Sequence, residues 1–358
     1  MTDSKKFVFK KETLDSSITV SPEKIKDFIE INFRLLQALD IATVNFGIWL
    51  LGSEHILEFV NPALDRAEKL KRKQQLISIA QKIKSSSKLL ILHEDEEKMH
   101  KHITMARTKR IEASGGDKTF VKGYLKLAEC SDKVLTCMEE VDEALVQEIE
   151  SLATNVLASM TEARDIVDEV MSMISDGNAA DHFTFVTMIA LAIGKELKLS
   201  DDQLKKLSVG SMFHDIGILH LELPNWNVKA LTASEMKIYE THPTVGEEHL
   251  VELENKSKVR FPKEAHKIIA EHHEKFEGSG FPLGKRGRLS QKNPDGIHIF
   301  SSIVAISDKF VHYLESRQDR PALDRRTAIK TMNQLEKDFD PIVMNVFRKL
   351  AGLSYHPF

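Results

Sequence analysis

The chain has 358 residues, 42% hydrophobic and 29% charged, which places it with ordinary soluble globular proteins and leaves room for two domains. Its net charge of −4 excludes the strongly basic footprint of a nucleic-acid-polymer binder, although a local basic or metal site can still take a small anion. No run of about 18 apolar residues exists, and Met1 to Lys6 lacks the apolar core of a signal peptide, so no membrane span is expected and a cytoplasmic location is.

Residues 1 to about 20 are polar apart from a strand-like Phe7-Val8-Phe9. Ser21-Pro22 reads as a helix start, with Ser21 as cap and Pro22 in the first turn. Ala42 to Leu51 reads as a buried strand, Asn61-Pro62 opens a charged helix to about Lys84, Lys88 to Leu92 is a second strand, and Glu94 to about Arg107 is a polar helix. Strand, helix, strand, helix predicts a small α/β domain over residues 1–125, with a regulatory or interaction role. His100 and His102 stand two apart, so on a helix they face different ways and read as surface histidines. Ala113 to Asp117 marks a loop near the end of this domain. Cys130 and Cys137, seven apart on a helix, would lie about 10 Å apart, too far for a disulfide.

From Ser131 to Ser175 apolar residues recur at threes and fours, among them Val134, Val141, Leu145, Ile149, Leu152, Val156, Val167 and Val170. The mean spacing is close to 3.6, with no proline or glycine to interrupt it. The economical reading is one long helix, or two in line, over residues 126–176. It would join two domains, pair with a second copy in a homodimer, or pack on its own domain. Residues 177–358 read as helices throughout: His182 to Leu197, Leu204 to Phe213 capped by Ser200, a helix from the capping box Thr232-Ala233-Ser234-Glu235 towards His242, Pro262 to Glu274, Phe300 to Leu314, Asp324 to Leu335 and Pro341 to Leu350. The whole is expected to be α+β, an all-α bundle joined by a long helix to a small α/β domain.

The bundle carries seven candidate metal ligands in order: His182, then His214-Asp215 in Phe213-His214-Asp215-Ile216-Gly217, then His242, His272-His273 and Asp308. Each falls on or at the end of a helical segment. An aspartate closing an apolar run such as Ile303-Val304-Ala305-Ile306 needs a cation or hydrogen bonds. Nitrogen and oxygen ligands without cysteine suit Fe, Mn or Zn, and there are enough of them for two ions sharing a hydroxide.

The stretch from His182 to Pro321 resembles the HD-GYP family, a branch of the HD-domain phosphohydrolases. The matching residues are His182, His214-Asp215-Ile216-Gly217, His242-Pro243 with Gly246, His272-His273-Glu274, Gly278-Ser279-Gly280-Phe281-Pro282, Ile303 to Asp308, and Asp319-Arg320-Pro321. The resemblance implies an HD-type helical fold and hydrolysis of cyclic di-GMP to pGpG or GMP by a metal-bridging hydroxide. It implies two divalent ions, with Fe or Mn favoured. His182, His214, Asp215 and Asp308 would hold the first. Asp215 would bridge to the second, held also by His242, His272 and His273, with His214 and Asp215 at the catalytic centre. The glutamate that holds a third metal in some members is Asn178 here.

The chain departs from the family pattern at positions that meet substrate. Ile218 stands where a lysine is usual, Phe281 replaces the tyrosine of Gly-Tyr-Pro, Ser302 replaces an arginine, and Phe310 and Val311 replace a tyrosine and an aspartate. Candidate cations for a substrate phosphate are Arg320, Lys309, Lys285 and Arg286. The alternative expectation is a catalytically weak or inactive metal protein that binds cyclic di-GMP, or contacts a signalling partner through the glycine-rich loop.

Overall fold

The computed structural model describes residues 19–20, 22–31, 39–51, 56–80, 89–114, 118–136, 141–158, 163–174, 181–221, 223, 231–288, 295–316 and 320–352. Phe7-Val8-Phe9, Ser21, Lys84, Cys137, Asn178 and Asp319 fall outside them. Five short strands form one sheet: β1 (Thr19–Val20), β2 (Phe28–Ile31), β3 (Ile48–Leu51), β4 (Ile56–Val60) and β5 (Leu89–Leu92), in the order β1-β4-β3-β5-β2. Every pairing is antiparallel, with Ile29 opposite Ile91, Trp49 opposite Leu90 and Leu50 opposite Leu57. The expected α/β unit is therefore corrected to an antiparallel sheet with helices beside it. Side chains alternate across the sheet. Phe28, Trp49, Ile56 and Leu90 cluster on one face, while Ile31, Leu50, Leu57, Leu89 and Ile91 join the main core on the other.

Two local expectations also shift. Only Ile48–Leu51 of the Ala42–Leu51 run is strand, because Ile41–Thr43 closes a tight turn in which Thr43 N–H donates to Asp40 O at 2.9 Å. The charged helix is α1 (Arg66–Ala80). Asn61 Oδ1 accepts from Ala63 N–H in a turn, and the Asp65 carboxylate accepts from Glu68 N–H and sets the helix start. The next helix, α2, runs from Glu96 to Ser114, past its expected end.

The expected long linker helix is three helices: α3 (Lys118–Thr136), α4 (Glu143–Ala158) and α5 (Ala163–Met173). Val141 and Asp142 lie outside any helix, and Asp142 Oδ1 accepts from Leu145 N–H at 2.8 Å, a cap that starts α4 afresh. The two helices fold back on each other. Lys133 pairs with Glu148 at 3.0 Å, and a Cβ on Gly123 would lie 2.8 Å from Val156. The apolar face that might have served a second copy is spent inside the chain, with Leu145, Ile149, Leu152, Val156, Val167 and Val170 all buried in its own core.

Beyond α5 the described residues contain helices and no strand: α6 (His182–Glu196), α7 (Asp201–Phe213), α8 (Ala233–Tyr239), α9 (His242–Ser257), α10 (Lys263–Glu271), α11 (Ile299–Leu314), α12 (Arg325–Gln334) and α13 (Pro341–Leu350). The capping boxes of Ser200 with Gln203 and Thr232 with Glu235 both form. Every residue of α6 from His182 to Gly194 is buried, as an all-round apolar helix demands, and it packs against α5, α7 and α11.

One buried ion cluster ties the sheet side of the molecule to α6. Arg107 of α2, 1% exposed, donates from Nε to Asp181 Oδ1 at 2.7 Å and from its fork to both carboxylate oxygens of Asp132 in α3. Asp181 stands at the N-cap of α6 yet makes no capping bond with its side chain. Arg107→Met would take the shared guanidinium from two buried carboxylates and is expected to lower stability by about 3–5 kcal/mol. Urea unfolding checks this; a loss below about 1 kcal/mol would mean that the cluster does not hold α2 and α3 to α6.

Candidate metal centre

Three of the candidate ligands are positioned by one local device. A helix end leaves its last carbonyls without intrahelical partners. His214 follows the last residue of α7 and donates from Nδ1 to Ser211 O at 2.8 Å. His272 follows α10 and donates from Nδ1 to Ile269 O at 2.9 Å. His242, just beyond α8, donates from Nδ1 to Tyr239 O at 2.6 Å. Each ring thus satisfies an orphan carbonyl three residues back, and in the neutral ring this leaves the Nε2 lone pair facing the centre of the bundle.

His182 is held differently. Its Nδ1 meets the Glu315 carboxylate at 2.9 Å and its Nε2 lies 3.2 Å from Asp308 Oδ1. Glu315 is fully buried at the end of α11. The sequence reading missed it; its one signal was a carboxylate at the end of the same apolar helix that carries Asp308.

The ring nitrogens and carboxylates converge. His242 Nε2 and His272 Nε2 stand 3.2 Å apart, and lie 3.3 and 3.4 Å from Asp215 Oδ1. His214 Nε2 lies 3.8 Å from Asp215 and 3.9 Å from Asp308. Asp215, His242, His272 and His273 form one set able to hold an ion, and His182, His214 and Asp215 form another, with Asp215 common to both. Asp308 borders the second set through His182 and His214. Lone pairs facing lone pairs at these distances repel, and buried polar atoms without partners are costly. His214 Nε2 and Asp215 Oδ1 are buried with no hydrogen-bond partner. A divalent cation in each set resolves both problems, so the residues fit the metal pair that the sequence led us to expect.

Close backbone approach makes the convergence possible. A Cβ on Gly217 would lie 2.0 Å from His242 O and 2.6 Å from Gly246 N, so only glycine lets the turn after Asp215 lie against α9. Gly280 does the same for the glycine-rich loop, where a Cβ would lie 2.5 Å from His273 O. Phe281 stacks on His273 with ring centroids 4.7 Å apart, and the Glu274 carboxylate clamps the loop by accepting from Leu283 and Lys285 N–H.

The candidate substrate cations have local contacts within the fold. Arg320 donates to the carbonyls of Tyr313, Glu315, Pro321 and His312, closing the end of α11. Lys285 pairs with Glu271 at 2.6 Å. Lys309 lies over the Tyr313 ring at 5.3 Å. Arg286 lines the glycine-rich loop beside Gly278. Ile218 is buried, 3% exposed, in the turn after Gly217.

Burial pushes the His182 imidazole down, but Glu315 and Asp308 outweigh it and raise it to about 10. Burial leaves His214 at about 4, while His182 and His214 hold the Asp308 carboxyl well below its usual range against the effect of burial. A raised imidazole is protonated below its pKa, and a metal needs it neutral. Metal uptake at neutral pH should therefore release about one proton from His182, and affinity should fall as pH falls. Calorimetric metal titration in buffers of different ionisation enthalpy measures this, and equal heats in all buffers would refute it. Glu315→Gln weakens the partner of His182 and should cost roughly tenfold to a hundredfold in affinity for the first ion, read by competition with a chelator.

Residues 149–343 match the HD domain family. The chain is 27% identical over 224 residues, 60% of its length and 55% of the relative's, to a cyclic di-GMP phosphodiesterase response regulator of Xanthomonas campestris. It is 25% identical over 207 residues, 53% of its length and 47% of the relative's, to a cyclic di-GMP phosphodiesterase of Pseudomonas aeruginosa. It is 31% identical over 151 residues, 40% of its length and 26% of the relative's, to a 3'3'-cGAMP-specific phosphodiesterase of Vibrio cholerae. The chain spans about half the length of the first two of these relatives. Its fold is similar to that of an HDG"Y"P protein from Bdellovibrio bacteriovorus, with a TM-score of 0.55 at 16% identity over 90% of this chain and 99% of that one. With the family match covering more than half of its 358 residues, the chain belongs to the HD domain family.

Proposed function

We propose that this chain is a two-metal phosphodiesterase that opens cyclic di-GMP, or a closely related cyclic dinucleotide, to pGpG or GMP. The observation that carries the reading is the pair of acceptor sets that share Asp215. His182, His214, Asp215 and Asp308 would hold one ion, and Asp215, His242, His272 and His273 the other, with Fe or Mn as the favoured metals. When bound, such a pair supplies an acidified bridging water and charge for the phosphate oxygens. Asp215 and the Nδ1-anchored imidazoles fix where those oxygens can sit. His273 and Asp308 are the partly exposed members of the set, so a phosphate would approach from their side. The names of the Xanthomonas, Pseudomonas and Vibrio relatives support a cyclic dinucleotide as substrate.

One observation favours a second reading, a metal-containing protein that binds the nucleotide, or a signalling partner, with little turnover. Lys285 and Arg320 are committed to structural bonds, and a buried isoleucine occupies position 218. In either case residues 1–125 would act as a regulatory or interaction domain.

Protein loaded anaerobically with Fe(II) or Mn(II) should linearise cyclic di-GMP, and Asp215→Ala should lose both turnover and bound metal. Chromatography of products and metal analysis on the same sample decide the matter. Saturable nucleotide binding with no product would establish the second reading, and absence of bound metal would sink both.

A further inference from the structure

Glu271 is the last residue of α10 and directly precedes His272. Its side chain is buried, 5% exposed, and its carboxylate is shared among donors from other segments of the chain. Oε1 accepts from Lys285 Nζ, at the end of the glycine-rich loop, at 2.6 Å. Oε2 accepts from the backbone N–H of His298 at 2.7 Å and from the Ser301 hydroxyl at 3.2 Å. That hydroxyl also reaches Lys267 O, one turn back in α10, at 3.1 Å. His298 is the N-cap of α11. The Glu271 carboxylate thus sits on the start of that helix, where N–H groups lack intrahelical partners and the dipole favours negative charge. On the far side of the histidine pair, Glu274 holds the same loop by its Leu283 and Lys285 N–H groups.

The consequence lies farther along α11. Asp308 stands about 15 Å from His298 by the helical rise, on one unbroken helix. Fixing the start of α11 to the end of α10 therefore fixes Asp308, along and around the helix axis, with respect to His272. These two residues serve different sides of the shared Asp215. His272 belongs to one ligand set, and Asp308 borders the other through His182 and His214. Apolar packing holds α10 and α11 together, but it is non-directional and resists sliding weakly. Directed hydrogen bonds to a carboxylate at the junction supply the missing constraint.

We infer that Glu271 is a positioning residue for the pair of ions. By joining the end of α10 to the start of α11 it keeps the two ligand sets in register, and with them the distance between the ions. Lys285 balances its charge and ties the glycine-rich loop to the same joint. The inference rests on the two-metal reading of the site and adds to it the element that sets the spacing.

Replacing the ion pair with apolar residues, in the variant E271L/K285M, removes the joint and leaves neither charge without its partner, an exchange that is often neutral in stability. Loaded anaerobically with Mn(II), wild type should give the electron paramagnetic resonance spectrum of two exchange-coupled ions about 3.5–4 Å apart. E271L/K285M should lose that coupling, and its affinity for one of the two ions should fall roughly tenfold to a hundredfold. E271Q/K285M returns an acceptor oxygen to His298 N–H without a charge and should restore the coupled spectrum. Ser301→Ala, a milder cut that takes one donor from Oε2, should shift the coupling in the same direction as E271L/K285M. A wild-type spectrum in both E271L/K285M and Ser301→Ala would overturn the inference. So would an E271Q/K285M protein indistinguishable from E271L/K285M, since the acceptor would then not be what positions the ligands. The two readings fail separately. Wild type that takes one ion, or two uncoupled ions, overturns the two-metal reading and this inference together, whereas coupling that survives in every variant removes Glu271 alone.

Discussion

Buried lone pairs that face one another set the terms for the C-terminal half of this protein. His242, His272 and Asp215 bring acceptor atoms within 3.2–3.4 Å of each other in the core. Such an arrangement is repulsive without a cation. It persists because each ring is secured from behind, by a carbonyl at a helix end or by Glu315. The apolar packing of α6, α7, α10 and α11 then fixes those helix ends relative to one another. Metal affinity and core packing are in this sense a single property, since the hydrophobic contacts hold the repulsive set in place and the cation relieves it.

Helix termini do most of the chemical positioning. A histidine placed one residue past a helix can satisfy the terminal carbonyls and still present its other nitrogen outward. The chain does this at His214 and His272, while His242, the first residue of α9, reaches back to Tyr239 O from three residues beyond α8. Gly217 and Gly280 complement the device by removing the side chains that would keep these ends apart. The result is a buried candidate metal cradle with a partly exposed lip, where Tyr239, Phe281 and His273 pack as rings.

Much of this was legible in the chain, but unevenly. The helices of the bundle follow from caps and apolar spacing that act locally, so Ser200 and Thr232 announce α7 and α8 directly. The candidate ligands stood out because their residue types are costly to bury without a partner. The stretch 126–176 misled, because an unbroken period of 3.6 fits a continuous helix as well as a folded-back pair. The break depends on one Asp142 cap and on a neighbour for the apolar face to meet. The sheet misled in the other direction: strand runs reveal where strands lie, while parallel or antiparallel pairing is decided by chain path. Glu315, Glu271 and Arg107 were illegible as site residues, since each matters through a partner far away in sequence.

The Arg107 cluster bears on how this molecule can be divided. Arg107 and Asp132 lie before the residues that match the HD domain family, while Asp181 lies within them and directly precedes His182. The matched segment is therefore not electrostatically closed. Grafted alone onto another module, it would carry Asp181 beside His182 without the Arg107 guanidinium, and the new neighbour would have to bring a cation in its place. The boundary drawn by sequence similarity and the boundary drawn by charge do not coincide, and recombination of this protein in evolution or in the laboratory would have to respect the second.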